Sequence, residues 1–258
     1  MAVDPIQAEG FALQVERLYA GLIRIACAPE PALSLSKGLA SETCDSEPSL
    51  GGKLLYAGEL DEEARALLEA ANIAGAASLA ASADAAKSKQ ALRDGVVDFL
   101  VTSLDEALRI LKNEIRKRET VAVCVALEPE MIEAEMLERG VAPDLLRPGA
   151  ADSLEDQTLL CWRVASSPSI WLPKLDAIAG ASLDSKDVTA RRWLRLAPRY
   201  LGRLAQGVRV MRCRESAAAN FIERVREEVE RGEIGVRVEL RLSREWQSEQ
   251  YSFAPSTC

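Results

Sequence analysis

Four short apolar runs decide the fold of this chain: KLLYA at residues 53–57, AASLAA at 76–81, DFLV at 98–101 and VAVCVA at 121–126. Amphipathic segments of helical length separate them, and such alternation is typical of parallel strands joined by crossover helices. The run at 121–126 is apolar throughout, as in a strand covered on both faces. A fifth run, DLL at 144–146, continues the series. The sequence therefore predicts an α/β fold, a parallel sheet with helices on both faces.

The composition is that of an ordinary globular protein. The 258 residues are 48% hydrophobic and 28% charged, enough to bury one large core or two smaller ones. A formal net charge of −8 opposes binding to a phosphate backbone, so we expect no nucleic-acid partner. No apolar run approaches the roughly 20 residues that span a bilayer, and the N-terminus lacks the features of a signal peptide. We expect a cytoplasmic protein with no membrane partner.

The content of histidine and cysteine excludes several kinds of chemistry. The chain has no histidine, and its six cysteines are far apart without a CxxC pair. Common zinc sites and Ser-His-Asp or Cys-His nucleophiles need those residues, so we expect no metal site. Cys124 and Cys213 lie in apolar runs, which predicts buried core thiols rather than reactive ones.

The flanking sequence predicts further regions around the core at 52–147. Residues 1–28 predict a helix that docks on another element through one apolar face, formed by Phe11, Val15, Leu18, Leu22 and Ile25. Residues 29–51 are rich in Pro, Ser and Gly, which indicates a flexible low-complexity loop. Residues 148–245 predict an α/β extension of the same sheet or a second sheet, and 246–258 a loose tail. An alternating run at 236–242 suits a sheet edge.

Charged residues in the predicted helices have simple structural interpretations. Asp61, Glu62 and Glu63 fall in a first helical turn and favour the positive end of the helix dipole, so capping is preferred over a catalytic or metal cluster. Ser103 and Glu106 form a capping box. In the helix after Pro129 we expect an inward face, formed by Ile132, Met136 and Leu137.

Two basic helices carry an open alternative. In the helix that follows Ser103, we expect a solvated outer face rather than an anion-binding site. Its basic side chains are Lys112, Arg116, Lys117 and Arg118. The other, at 187–205, has arginines among Trp193 and Tyr200, which favours an ordinary amphipathic helix over stacking on a nucleotide or pairing with an acidic partner.

Three runs inside the central stretch carry a family resemblance. ALRDGVVD at 91–98, TSLDEAL at 102–108 and LERGVAPD at 137–144, in this order, resemble the central NAD-binding domain of urocanases, the urocanate hydratases of histidine breakdown. The resemblance covers roughly 52–146. It implies a Rossmann-like domain, NAD as cofactor and hydro-lyase activity.

The resemblance ends at the turn that would hold the cofactor. Urocanases have a Gly-Gly-Met-Gly-Gly-Ala-Gln-Pro loop there, which lets the backbone approach the phosphates, whereas this chain has ELDEE at 59–63. Carboxylates in a first helical turn repel a diphosphate. Ser82 stands where the family has an acid suited to a ribose hydroxyl. We therefore expect a degenerate site around Gly58, Glu59, Asp61 and Ser82, and no bound cofactor.

Two functions follow as hypotheses. The first is a binding, regulatory or assembly module without catalytic residues, whose partner is itself or another protein. The second is an enzyme, either a diverged urocanate hydratase using NAD or another small-molecule α/β enzyme. It would use the carboxyl ends of the strands, where the candidate polar groups are Glu59, Asp61, Thr102, Ser103 and Glu128.

Overall fold

The computed structural model describes residues 5–27, 48–147, 157–202, 204–205, 207–244 and 247–255. Most of the predicted low-complexity loop at 29–51 therefore lies outside the described residues, although Leu50 near its end is buried. The described part of the chain contains a parallel five-stranded sheet, an antiparallel four-stranded sheet and the helices that cover them.

The parallel sheet confirms the predicted α/β fold. Its strands are β1 (Leu54–Glu59), β2 (Ala77–Ala81), β3 (Phe99–Val101), β4 (Ala122–Val125) and β5 (Leu145–Leu146), in the spatial order β3-β4-β2-β1-β5. The connecting helices are α2 (Glu62–Ala74), α3 (Ala85–Asp94), α4 (Leu104–Lys117) and α5 (Pro129–Glu138). All four strand pairs are parallel, as crossover helices require.

Helices cover both faces of this sheet. On one face, Tyr56, Leu79 and Val123 pack with the buried side chains of α4 and α5. On the other face, Leu55 and Ala80 join a larger core that includes α2 and the antiparallel sheet. Right-handed crossovers explain this division, because connections that run in opposite directions along a sheet lie on opposite faces.

The antiparallel sheet settles the open question about the C-terminal half. Its strands are β6 (Thr158–Val164), β7 (Val208–Cys213), β8 (Val238–Arg244) and β9 (Gln247–Phe253), in the order β7-β6-β8-β9. Its helices are α6 (Pro168–Ser182), α7 (Val188–Tyr200) and α8 (Glu215–Glu230). This is a second sheet, not an extension of the first.

The prediction of a loose tail at 246–258 is wrong for its described part, because β9 pairs with β8 along its whole length. The prediction that 236–242 forms a sheet edge is wrong for the same reason, since β8 lies between β6 and β9. The sequence of β9, QSEQYSF, is largely polar and has no continuous apolar face. The apolar pattern that predicted the other strands is therefore absent here.

The N-terminal helix α1 (Pro5–Cys27) is confirmed, and it packs against α2 and β7. Its predicted apolar face is buried at Val15, Leu18 and Leu22, while Ile25 is exposed near the helix end. No described helix has the length and apolar character that crossing a membrane requires.

Side chains of α7 that the sequence left open for a nucleotide contact the rest of the protein instead. Trp193 is buried and donates its indole N–H to the carbonyl of Val210 at 2.5 Å. Arg192 donates to the carbonyl of Ile73 at 2.8 Å, which ties α7 to the end of α2. These contacts favour the ordinary amphipathic helix over a nucleotide-stacking surface.

Candidate functional site

The carboxyl edge of the parallel sheet is where an α/β protein normally binds its ligand. Neighbouring strands β2 and β4 send their chains to opposite faces, into α3 and α5, and in folds of this kind the ligand crevice lies between such strand ends. The residues predicted from the sequence lie in or just after the ends of strands at this edge, namely Gly58, Glu59, Asp61, Ser82, Thr102, Ser103 and Glu128.

Gly58 makes the turn after β1. Its φ is +75°, in the region that favours glycine, and the β1–β2 register shifts between Tyr56 and Gly58. No atom lies within 4 Å of the position a Cβ would take, so the glycine is required by backbone conformation and not by a close neighbour. This bulge brings the acidic stretch after β1 over the N-terminus of α2.

Asp61 is the N-cap of α2. One carboxylate oxygen accepts the backbone N–H of Ala64 at 2.7 Å, the ordinary role of an aspartate at this position. Glu62 and Glu63 follow in the first helical turn. The positive end of the α2 dipole is therefore already used by an anion that the chain itself supplies.

Arg147, just beyond β5, covers the same turn. Its guanidinium donates to the Ala57 carbonyl at 3.0 Å and to Asp61 at 3.2 Å, and it forms an ion pair with Glu63 at 3.1 Å. The acidic turn is thus partly neutralised by a fork of donors that ties β5 to β1. Sequence reasoning missed this residue, although a basic side chain directly after a strand that ends beside the acidic turn is a usable signal.

Glu59 and Ser82 lie together between β1 and β2. The buried Ser82 hydroxyl donates to the Glu59 carboxylate at 3.1 Å and accepts the backbone N–H of Asp84 at 3.3 Å. Lys87 lies 3.8 Å from the same carboxylate. The Ser82 hydroxyl is consequently engaged within the protein.

The next two helices are also capped by the chain. Asp84 accepts the N–H groups of Ala86 at 2.8 Å and Lys87 at 3.1 Å at the start of α3, and these bonds lower the pKa of its carboxyl. Three of the four helices that follow strands of this sheet therefore begin with an aspartate or serine side chain bonded to their amides.

At the start of α4, Ser103 accepts the N–H of Glu106 at 3.3 Å, as the capping box predicts. Glu106 reaches back to the N–H of Thr102 at 3.5 Å, one residue earlier than a standard box. Glu128 precedes α5 without a side-chain cap bond. The candidates Thr102, Ser103 and Glu128 thus stand at the edge as helix-start residues.

Thiol and metal chemistry find little support among the described residues. Cys124 is buried behind the crevice, 3.9 Å from the Ser88 hydroxyl, and burial raises the pKa of its thiol to about 11. Burial likewise raises the pKa of Cys213 to about 12, in agreement with two core thiols. In the described ranges no three His, Cys, Asp or Glu side chains are grouped as metal ligands require.

One family model matches this part of the chain. Residues 39–152, somewhat less than half of the sequence, match the urocanase Rossmann-like domain. This part of the chain is therefore similar to a urocanase Rossmann-like domain. The match contains all five parallel strands and every candidate residue at the carboxyl edge.

Two features of the urocanase-like domain bear on ligand binding, and they have opposite implications. Its fold and order of elements provide the crevice in which such domains place a ligand. Its first βα turn, however, presents Asp61, Glu62 and Glu63 together with Arg147 instead of bare amides. At this edge Glu59 already accepts the Ser82 hydroxyl beside Lys87, and Asp61 already caps α2.

Proposed function

We propose that this urocanase-like α/β protein has lost NAD binding and hydratase activity and acts as a binding, regulatory or assembly module. One observation carries the proposal: the amides at the start of α2 are capped by Asp61, while the guanidinium of Arg147 lies across the turn. A dinucleotide diphosphate needs that helix end free of competing anions. Its partner is a second copy of the chain or another protein.

The test is thermal melting of the purified full chain with and without NAD. At about 1 mM NAD, a site with a dissociation constant of about 10 µM would add about 2.7 kcal/mol of stability, which is visible as a clear rise in Tm. We expect no rise. A rise of that size, or a matching isothermal titration, would overturn the proposal.

A matched variant tests the physical reason. Glu62→Gln/Glu63→Gln removes two negative charges from the first turn of α2 and leaves the Asp61 cap in place. If repulsion by these two charges excludes the dinucleotide, the variant should gain NAD binding that the native chain lacks, measured as a rise in Tm with NAD. No such gain would show that these two charges are not what excludes the dinucleotide.

The second candidate is a diverged urocanate hydratase or a related small-molecule enzyme. It is favoured by the family match over residues 39–152 and by the crevice between β2 and β4. Incubation with urocanate and NAD, followed by ultraviolet absorbance, separates the two functions. Loss of absorbance in proportion to protein concentration, and its disappearance in Glu59→Gln, would establish the enzyme.

A further inference from the structure

Helix α5 exposes an apolar surface that its own fold leaves uncovered. Leu137, which the sequence predicts to face inward, is 84% exposed, and Met131 is 56% exposed. Pro129, Ile132 and Met136 form the buried face, so α5 presents an outer ridge, which we define as Met131, Ala134 and Leu137 with Glu130 and Glu138 at its two ends. Within the described residues neither of these two glutamates forms an ion pair. The ridge is therefore apolar and acidic.

A basic groove lies on the same molecule between the edge strand β3 and α4. Phe99, on the outermost strand of the parallel sheet, is 48% exposed and lines a shallow, open groove with Ile110. Its basic side chains are Arg109, Lys112 and Arg116. Glu114, the acidic residue there, is paired with Lys117 at 2.9 Å, so the groove keeps a positive excess.

We infer that the α5 ridge of one copy docks in the β3–α4 groove of a second copy, so that the chain associates head to tail. Both surfaces combine apolar contact with charge, and their charges are opposite. The spacing also agrees: Glu130 and Glu138 are about 12 Å apart along α5, and Arg109 and Arg116 about 10 Å apart along α4, at 1.5 Å per residue. Parallel or antiparallel alignment thus places a glutamate near an arginine at each end.

The groove that receives the α5 ridge belongs to another copy of the chain. The ridge lies opposite the side of α5 that packs on the sheet, and α4 and α5 are held side by side by the contact between Arg139 and Asp105. Because α5 is fixed in this position, its ridge cannot enter the groove of its own copy. When the second copy in turn places its ridge in the groove of a third, the contact is heterologous and continues from copy to copy.

This inference names the partner of the proposed assembly role, but its test is independent of NAD. Sedimentation of the full chain at protein concentrations up to about 1 mM, where weak interfaces are populated, should show a mass that rises with concentration. Added salt should weaken the association, because it screens exposed charges.

Charge reversal on each side gives the decisive comparison. The ridge variant Glu130→Lys/Glu138→Lys and the groove variant Arg109→Glu/Arg116→Glu should each raise the dissociation constant at least about tenfold. Mixing the two variants should restore association, and so should all four substitutions in one chain. The control Lys89→Glu/Arg224→Glu, which changes net charge as the groove variant does on exposed sites elsewhere, should associate normally.

Circular dichroism and melting of each variant separate loss of association from loss of folding, and the restored mixture cannot arise from unfolded chains. A native chain that stays monomeric up to about 1 mM overturns the inference, since even a weak interface is populated there. Association that both single-side variants retain also overturns it. Either result leaves the NAD measurement, and hence the loss of cofactor binding, unaffected.

Discussion

At the scale of single residues, Glu69 is the side chain most at odds with its surroundings. It lies in α2 with 0% exposure, and within the described residues neither carboxylate oxygen has a hydrogen-bond partner. Burial, with a smaller contribution from nearby Asp98, raises the pKa of this carboxyl to about 9 against the opposing effect of Arg65. The folded protein therefore holds Glu69 in its neutral form at pH 7.

This neutral glutamate links stability to pH. The unfolded chain releases the proton above about pH 4.3, whereas the folded chain keeps it until about pH 9, so this group destabilises the fold progressively as pH rises between those values. Glu69→Gln removes the ionisation. Urea unfolding at pH 5 and pH 8 should show the variant gaining about 4 kcal/mol relative to the native chain over that interval.

The control for this measurement is Glu138→Gln, which makes the same substitution at an exposed carboxyl. Its stability should follow the native pH profile. Parallel profiles for Glu69→Gln and the native chain would show that Glu69 is ionised in the folded state.

At the scale of elements, the start of α2 combines a cap, an acidic turn and Arg147. Asp61→Ala removes the acceptor for the Ala64 N–H and one partner of the guanidinium, so we expect a loss of about 1 kcal/mol in the free energy of unfolding. Asp61→Asn keeps a capping oxygen and should lose less. Chemical denaturation of both variants decides the matter, and equal losses would assign the effect to charge alone.

The helix starts and ends were predictable because their signals are local. Ser103 and Asp61 cap the helices they precede, and Gly75 ends α2 with a φ of +99° that suits glycine. Strand pairing was not predictable in the same way. Nothing near residue 247 indicates that β9 covers β8, because the evidence for that strand is its partner in space.

In the candidate site, too, local features were predictable and contacts between distant residues were not. Sequence alone located the carboxyl edge, the acidic first turn and Ser82, because strand ends follow from apolar runs. It did not reveal that Arg147 crosses the turn or that Ser82 donates to Glu59, since both contacts join strands distant in sequence. The exposure of Leu137 was missed because α5 buries only Ile132 and Met136 beside Pro129.

At the scale of the whole molecule, α1 holds the two sheets together. It packs on α2, which covers the parallel sheet, and on β7 of the antiparallel sheet. Glu16 of α1 accepts two bonds from Arg212 of β7, at 3.0 and 2.9 Å, and the carboxylate is almost wholly buried. One buried ion pair thus joins the N-terminal helix to the second sheet.

Breaking one side of this pair should be costly. Glu16→Ala leaves the Arg212 guanidinium uncompensated, and we expect a loss of about 3–5 kcal/mol. The double variant Glu16→Leu/Arg212→Met removes both charges and should recover most of that loss. A cycle of unfolding measurements over the native chain, Glu16→Leu, Arg212→Met and the double variant checks this, and purely additive losses would show that the two side chains do not interact.

The position of β5 has a consequence for synthesis on the ribosome. This two-residue strand pairs with β1, and Asp144 beside it accepts the N–H of Leu54 at 2.8 Å. β2 reaches its place on β1 early, but the other flank of β1 has no neighbour until residue 146 has left the exit tunnel. During that interval the nascent chain exposes an unpaired strand edge. Such an edge can bind a chaperone or pair with the wrong strand.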